Sequence, residues 1–268
     1  MENKIPVSVI LPIKSSKVKD FEDFFKKAIE SLQKQLVQIE ELVIVHTLEE
    51  SLVELLSEYD FGDLSVSLIP WEKEPNYASQ VNFGISKVKS EWVSLFEFDD
   101  EYAPIWFKNV KNYMEQLPTV EMFLPVVVDV DDKLTFVGFT NEATFAANFT
   151  NEIGKLTNDT LQSYQNFQTA GSVFKKKLIE DFGGFKPSMK LTFVYEFLLR
   201  MTYNSVSITT IPRLGYKHLN LREGSIFWTY KFGDEKMLED EVRFWIELAK
   251  KEYFFKDDRS IKYDAQNV

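Results

Sequence analysis

Val7, Ser8, Val9, Ile10 and Leu11 make a short β-rich run closed by Pro12, and the next apolar residues fall at Val18, Phe21, Phe25, Ala28, Leu32 and Leu36. Intervals of three and four predict a helix with one buried face. Leu42 to Val45 repeats the strand signal and Leu52, Leu55, Leu56 and Tyr59 the helical one. Leu64, Val66 and Leu68 then alternate up to Pro70, as a half-buried strand does. Ala78, Val81, Ile85 and Val88 return to helical spacing before Trp92 to Phe96 resume an extended segment. Strand and helix in alternation predict an α/β fold. Its sheet should be mainly parallel with helices on both faces, and ligands should bind at the carboxyl ends of the strands.

Past residue 120 the rhythm changes. Met122 to Val128 reads as a strand, Asp129 to Lys133 as a turn and Leu134 to Phe139 as the returning strand, an antiparallel extension of the sheet. Thr140 to Gln168 has no clear period and reads as loops with short helices. Gly183 and Gly184 close a short helix, and a stronger one is expected from Leu191 to about Tyr203. From Asp234 to Phe255 the chain is amphipathic, with Leu238, Val242, Trp245 and Ala249 on a stripe that packs on the domain or, alternatively, on a partner. The expected organisation is a first half over residues 1–128, a second half of the same domain over 129–233, and a C-terminal helix and tail over 234–268.

Composition narrows the function. Of 268 residues 44% are hydrophobic, with 24 Phe against 10 Gly and 9 Pro, which fits a compact globular chain and argues against disorder or a fibre. The chain has no cysteine, so disulfides, thiolate zinc sites and thiol catalysis are excluded. With 31 Lys+Arg against 42 Asp+Glu the formal charge is -11, the wrong sign for nucleic acid or an anionic membrane surface. One phosphorylated metabolite remains compatible if a bound divalent cation reverses the local sign. Met1 to Ile5 lacks the apolar region of a secretory signal and no stretch is long enough to span a bilayer, which predicts a cytoplasmic protein with no transmembrane segment. The sequons at Asn148 and Asn158 then read as coincidences.

Glu97, Phe98, Asp99, Asp100 and Glu101 close the fourth expected strand. Two-residue spacing on a strand aims Glu97 and Asp99 the same way, a costly juxtaposition unless a cation neutralises it. Oxygen ligands of this kind suit Mg²⁺ or Mn²⁺ held jointly with a diphosphate. A solvated acidic turn leading to the helix near Trp106 is the plainer reading. His218 is one of two histidines, and Lys217 and Arg222 flank it. Trp71, Trp92 and Trp106 read as packing or groove aromatics, and Tyr164, Asn166, Phe167 and Gln168 mix ring faces with amides, as suits a sugar acceptor or an ordinary ordered loop.

In their order and spacing these segments resemble the family-2 glycosyltransferases, nucleotide-sugar enzymes of the GT-A fold, over about residues 6–225. Val7 to Lys14 resembles the family's opening strand. His46, Thr47 and Leu48 stand where its second strand ends in two aspartates before Gly-Ser. Asn82, Phe83, Gly84 and Ile85 are similar to the helix before the metal strand, and Phe96 to Asp100 match the aspartate-x-aspartate motif with Glu97 as first carboxylate. Gly171, Ser172, Gly183, Gly184 and Phe185 resemble the acceptor-side segment, and Tyr216, Lys217, His218, Asn220, Arg222 and Ser225 the closing loop.

The resemblance implies a nucleoside diphosphate sugar donor bound by Pro12, Ile13, Lys14, His46, Thr47 and Asn82, with Lys217 and Arg222 on its diphosphate. It implies Mn²⁺ or Mg²⁺ on Glu97, Asp99 and His218, and Asp100 orienting the sugar or a metal-bound water. The family's Glu-Asp pair, seven and six residues ahead of an arginine, falls here on Phe193 and Val194 counting from Arg200. Glu196 is the carboxylate left near that helical face, as general base or as partner of Arg200. The implied activity is metal-dependent, inverting glycosyl transfer to the hydroxyl of a glycan or other acceptor. A catalytically silent nucleotide-sugar or glycan-binding protein of the same fold is the alternative. A nucleotidyltransferase ranks last, because Lys14, Ser15, Ser16 and Lys17 contain no glycine.

Overall fold

A computed structural model describes residues 4–142, 154–220 and 222–254. The sequon at Asn148, residues 143–153 of the stretch read as loops and short helices, and the end of the tail at Phe255 lie outside the described residues. The first half follows the apolar pattern closely. Strand β1 (Lys4–Ile13) leads to helix α1 (Phe21–Gln33), β2 (Gln38–Thr47) to α2 (Glu50–Glu58), and β3 (Val66–Trp71) to α3 (Tyr77–Lys87), before β4 (Trp92–Leu95). β1 pairs in parallel with β2 and β4, and β2 in parallel with β3. Val7, Val9 and Leu11 pack on the face carrying α1 and α2, whereas Ile10 packs on the face carrying α3. Both faces are covered, which is why these strands read as nearly unbroken apolar runs.

The second half extends the same sheet. After the short β5 (Glu101–Tyr102) and helix α4 (Trp106–Gln116) come β6 (Met122–Val130) and β7 (Phe136–Thr140), an antiparallel pair as expected. β8 (Gly154–Leu156), α5 (Asn158–Ser163), β9 (Val173–Lys175) and α6 (Lys177–Phe182) follow. A 3₁₀ segment, Pro187–Thr192, precedes α7 (Phe193–Tyr203); then come β10 (Ile208–Leu219), α8 (Ile226–Lys231) and α9 (Glu239–Glu252). The strand order is β3-β2-β1-β4-β9-β6-β10-β5, with β7 on β6 and β8 on β10. β9 is antiparallel to both β4 and β6 and so joins the two halves.

Three expectations change. Asp129 is not in the turn but inside β6, buried, because the strand runs two residues further than its apolar run. Tyr216, Lys217 and His218, expected in a closing loop, lie on β10, where pairing with β5 and β6 claims their backbone. Leu238 precedes α9 and is 71% exposed, so the stripe that docks on the domain starts at Val242 and runs through Trp245 to the buried Ala249 and Tyr253. Among the described residues no helix is long and apolar enough to cross a membrane.

Candidate active site

At the carboxyl ends of β1 and β2 two loops are stapled together. The Thr47 hydroxyl donates to the Lys14 carbonyl at 2.7 Å. Glu49 accepts from the Ser15 and Ser16 hydroxyls at 2.6 and 2.5 Å, from the Ser16 N–H at 3.1 Å and from the Ser51 hydroxyl at 3.0 Å. Partial burial pushes the Glu49 carboxyl up, but these donors outweigh it and bring it down to about 2. Pro12 and Ile13 are strand residues opposite Val45 and His46, and Ile13 is buried in the core. His46 is buried with Nδ1 2.9 Å from the Thr47 carbonyl. That oxygen can only accept, so Nδ1 carries the hydrogen and Nε2 is the ring nitrogen left for another partner. The Gln80 amide spans the Ile13 and Val45 carbonyls at 3.3 and 3.2 Å, fixing the two strand ends to each other.

The acidic rim is built differently from expectation. β4 ends at Leu95, and residues 97–100 form a turn closed by the Asp100 N–H on the Glu97 carbonyl at 3.2 Å. Strand alternation therefore does not govern where Glu97 and Asp99 point. Asp99 pairs with the Arg222 guanidinium, which also lies 4.9 Å over the Phe98 ring. Asp100, 1% exposed, faces His218 Nδ1 at 3.2 and 3.1 Å and accepts the Leu219 N–H at 2.9 Å. Lys217 pairs with Glu101 across the β5–β10 ladder. Glu97 takes a hydrogen bond from the Tyr77 hydroxyl, and its own N–H donates to the Tyr216 hydroxyl at 3.2 Å.

Crowded carboxylates in a partly buried turn perturb one another. Burial, reinforced by Asp100, lifts Glu97 up to about 8, although His218 pulls the other way. Burial also raises Asp99 against the pull of Arg222. For His218 burial alone would favour the neutral ring; Asp100, Glu97 and Asp129 overcome it and raise the imidazole to about 10. Asp129 is raised by burial while accepting from the Thr140 hydroxyl at 2.6 Å.

On the acceptor side, Glu196 is not open to the cleft. It is 1% exposed and meets Arg200 at 2.9 and 3.0 Å, Lys186 at 2.8 Å and the Tyr253 hydroxyl at 2.8 Å. Its four-residue spacing to Arg200 on one helix chose the ion pair over the general-base role. Asn82 is likewise occupied: its side chain donates to the Phe185 carbonyl at 2.7 Å and accepts the Phe185 N–H at 2.9 Å. Phe193 packs on Tyr77 and Phe185 with ring centroids 5.8 and 5.7 Å apart. Where the acid pair was sought there is an aromatic wall reaching Tyr77, the residue bonded to Glu97.

The sequence profile of glycosyl transferase family 2 matches residues 8–181. The chain belongs to glycosyltransferase family 2. The fold is GT-A, as two S. aureus TarS crystal structures bear out. TarS residues 1–349 in complex with UDP-GlcNAc superimpose with a TM-score of 0.68 at 16% identity, over 91% of this chain and 65% of that one. The complex with UDP gives 0.65 at 15% identity with the same coverage. The chain thus spans a little under two thirds of those TarS fragments. Comparison with curated proteins finds no match by sequence.

The divalent ion that the fold implies does not fit the donors as they stand. Among the described residues no three His, Asp or Glu side chains converge on one point, and Asp99 and His218 already hold Arg222 and Asp100. Tyr77, Gln80, Asp129 and Glu49 were missed in the sequence. Tyr77 directly follows the helix-capping Asn76, and nothing in its spacing marks it; Asp129, closing a run of three valines, was the one legible signal.

Proposed function

We propose that this chain transfers a glycosyl unit from a uridine diphosphate sugar to an acceptor hydroxyl, with inversion at the anomeric carbon. Family membership and the UDP and UDP-GlcNAc complexes of TarS support the class of donor. The observation that carries the reading is the juxtaposition at the carboxyl ends of β1, β2 and β4: two stapled loops over the buried His46, beside a partly buried turn of acids paired with basic side chains.

In the proposed reaction the bond from the anomeric carbon to the diphosphate oxygen breaks, and its electron pair leaves with the diphosphate. The acceptor oxygen bonds to the same carbon from the opposite face, and its O–H proton is released to solvent. His46 Nε2 offers a hydrogen-bond partner to the base, and the Ser15–Glu49 staple holds the loops around it. Asp100 fixes the His218 ring, and the Glu196–Arg200 pair shapes the 182–184 turn bounding the acceptor side. Preorganised donors of this kind act on charge as it develops on the leaving group.

Removal of the acceptor's proton divides this reading from a second one. Phe193 and Val194 cannot take a proton, and that observation favours a catalytically silent protein that binds the same donor. Isothermal titration of UDP, together with transfer and hydrolysis assays on a panel of UDP-sugars, separates the two. Binding with turnover supports the transferase, binding without turnover supports the silent protein, and no binding of any uridine nucleotide removes both.

A further inference from the structure

Three successive acids of the rim are each matched by a basic side chain from one stretch of chain. Glu101 pairs with Lys217, Asp100 with His218 and Asp99 with Arg222. The matching follows from the fold. β5 and β10 are antiparallel, with Lys217 opposite Glu101, so each step back along the turn meets a step forward along β10 and the segment after it. Asp100 and Arg222 are buried, and Arg222 is further fixed by its bond to the Glu223 carbonyl at 3.0 Å and by the Phe98 ring beneath it. A metal bound through Asp99 would sit beside Arg222 and compete with it for the carboxylate. Breaking a buried pair leaves an uncompensated charge, which is strongly unfavourable.

The cations keep donors in reserve. Arg222 uses Nε on Asp99 and Nη1 on Glu223, and Nη2 has no partner among the described residues. A guanidinium fork is a suitable donor for phosphate oxygens. Lys14, at the end of the neighbouring β1, adds a cation with no ion pair among the described residues.

We propose that this chain neutralises the departing diphosphate with Arg222 and Lys217, held in position by Asp99 and Glu101, and that it binds its donor without a divalent metal. The proposal rests on the donor class assigned above. Its test is the affinity of the full chain for UDP, measured by titration calorimetry in EDTA and again in Mn²⁺. The two dissociation constants are expected to agree within about twofold. Arg222→Gln should weaken UDP binding in EDTA by about tenfold or more. It should also free Asp99, so that Mn²⁺ alone, followed by electron paramagnetic resonance, binds the variant more tightly than the native chain. If Arg222→Gln does not fold, Lys217→Gln on the partly exposed edge supplies the same comparison, with weaker binding in EDTA expected. UDP binding to the native chain only in Mn²⁺, or an affinity indifferent to the substituted cation, overturns this proposal and leaves the transferase reading standing. No UDP binding in either buffer overturns both.

Discussion

Arg200 holds the acceptor-side turn together more than any other residue does. Its guanidinium donates to the Phe182 carbonyl and, at 2.6 and 2.7 Å, to the carbonyls of Gly183 and Gly184, while Glu196 neutralises it. Arg200→Ala leaves three carbonyls without their donor and Glu196 with only Lys186 and the Tyr253 hydroxyl, and is expected to cost about 3–5 kcal/mol in urea unfolding. A loss below about 1 kcal/mol would mean the pair is replaceable by water. Protonation adds a second residue-level expectation. Burial works to raise Glu196, but its bonds to Arg200 and Lys186 lower it below the ordinary 4.5, so its contribution is whole above that pH and is lost only in stronger acid. Glu97 and His218 behave oppositely. Raised from 4.5 to about 8 and from 6.5 to about 10, both bind protons more tightly when folded. Their contributions are full below the ordinary values and are lost as pH rises through the raised ones. Melting temperature should therefore fall between about pH 5 and 9. Glu97→Gln should flatten the part of that slope below pH 8, where Glu97 titrates, and a native profile that is flat or rising would contradict the charge arrangement of the rim.

Among the elements, α3 sits close against the sheet. Gly84 brings it so close to the sheet that a Cβ would stand 2.7 Å from the Ile10 side chain and 2.9 Å from that of Val45. Gly84→Ala is expected to destabilise by about 1–3 kcal/mol through forced movement of those strands, read as an earlier urea midpoint; an unchanged midpoint would show that the helix can lift freely. What could be read in advance follows from the same physics. Helices α1 to α3 and strands β1 to β4 bury regular faces, so residues such as Phe21, Phe25 and Ala28, or Val7, Val9 and Leu11, declare period and direction locally. Partner choice does not declare itself. Arg222 reaches Asp99 and Asn82 reaches Phe185 across more than a hundred positions of chain, and spacing within either segment carries no trace of that. β9 is hidden for another reason: three residues between two larger strands are too few to show a period. Glu196 was legible in part, since its distance to Arg200 already allowed the ion pair.

At the scale of the molecule, β9 decides whether the two halves behave as one. β1 to β4 lie on one side of it and β6, β10 and β5 on the other, so no path through the sheet avoids those three residues. Phe174 at its centre is fully buried, pairs in register with Val93 and Met122, and packs 6.0 Å from the Phe197 ring of α7. Removing that ring leaves a cavity touching both halves at once. Phe174→Ala is expected to cost about 3–5 kcal/mol, and to lower the stability of both halves together, since elements sharing one core open as one unit. Hydrogen exchange followed by segment tests this. Amides of β1 and β2 and amides of α7 and β10 should show one common opening free energy in the native chain, reduced equally in the variant. If the β1–β3 segments kept their protection while α7 and β10 lost theirs, the second half would be a separately folding unit and β9 only a contact between two domains.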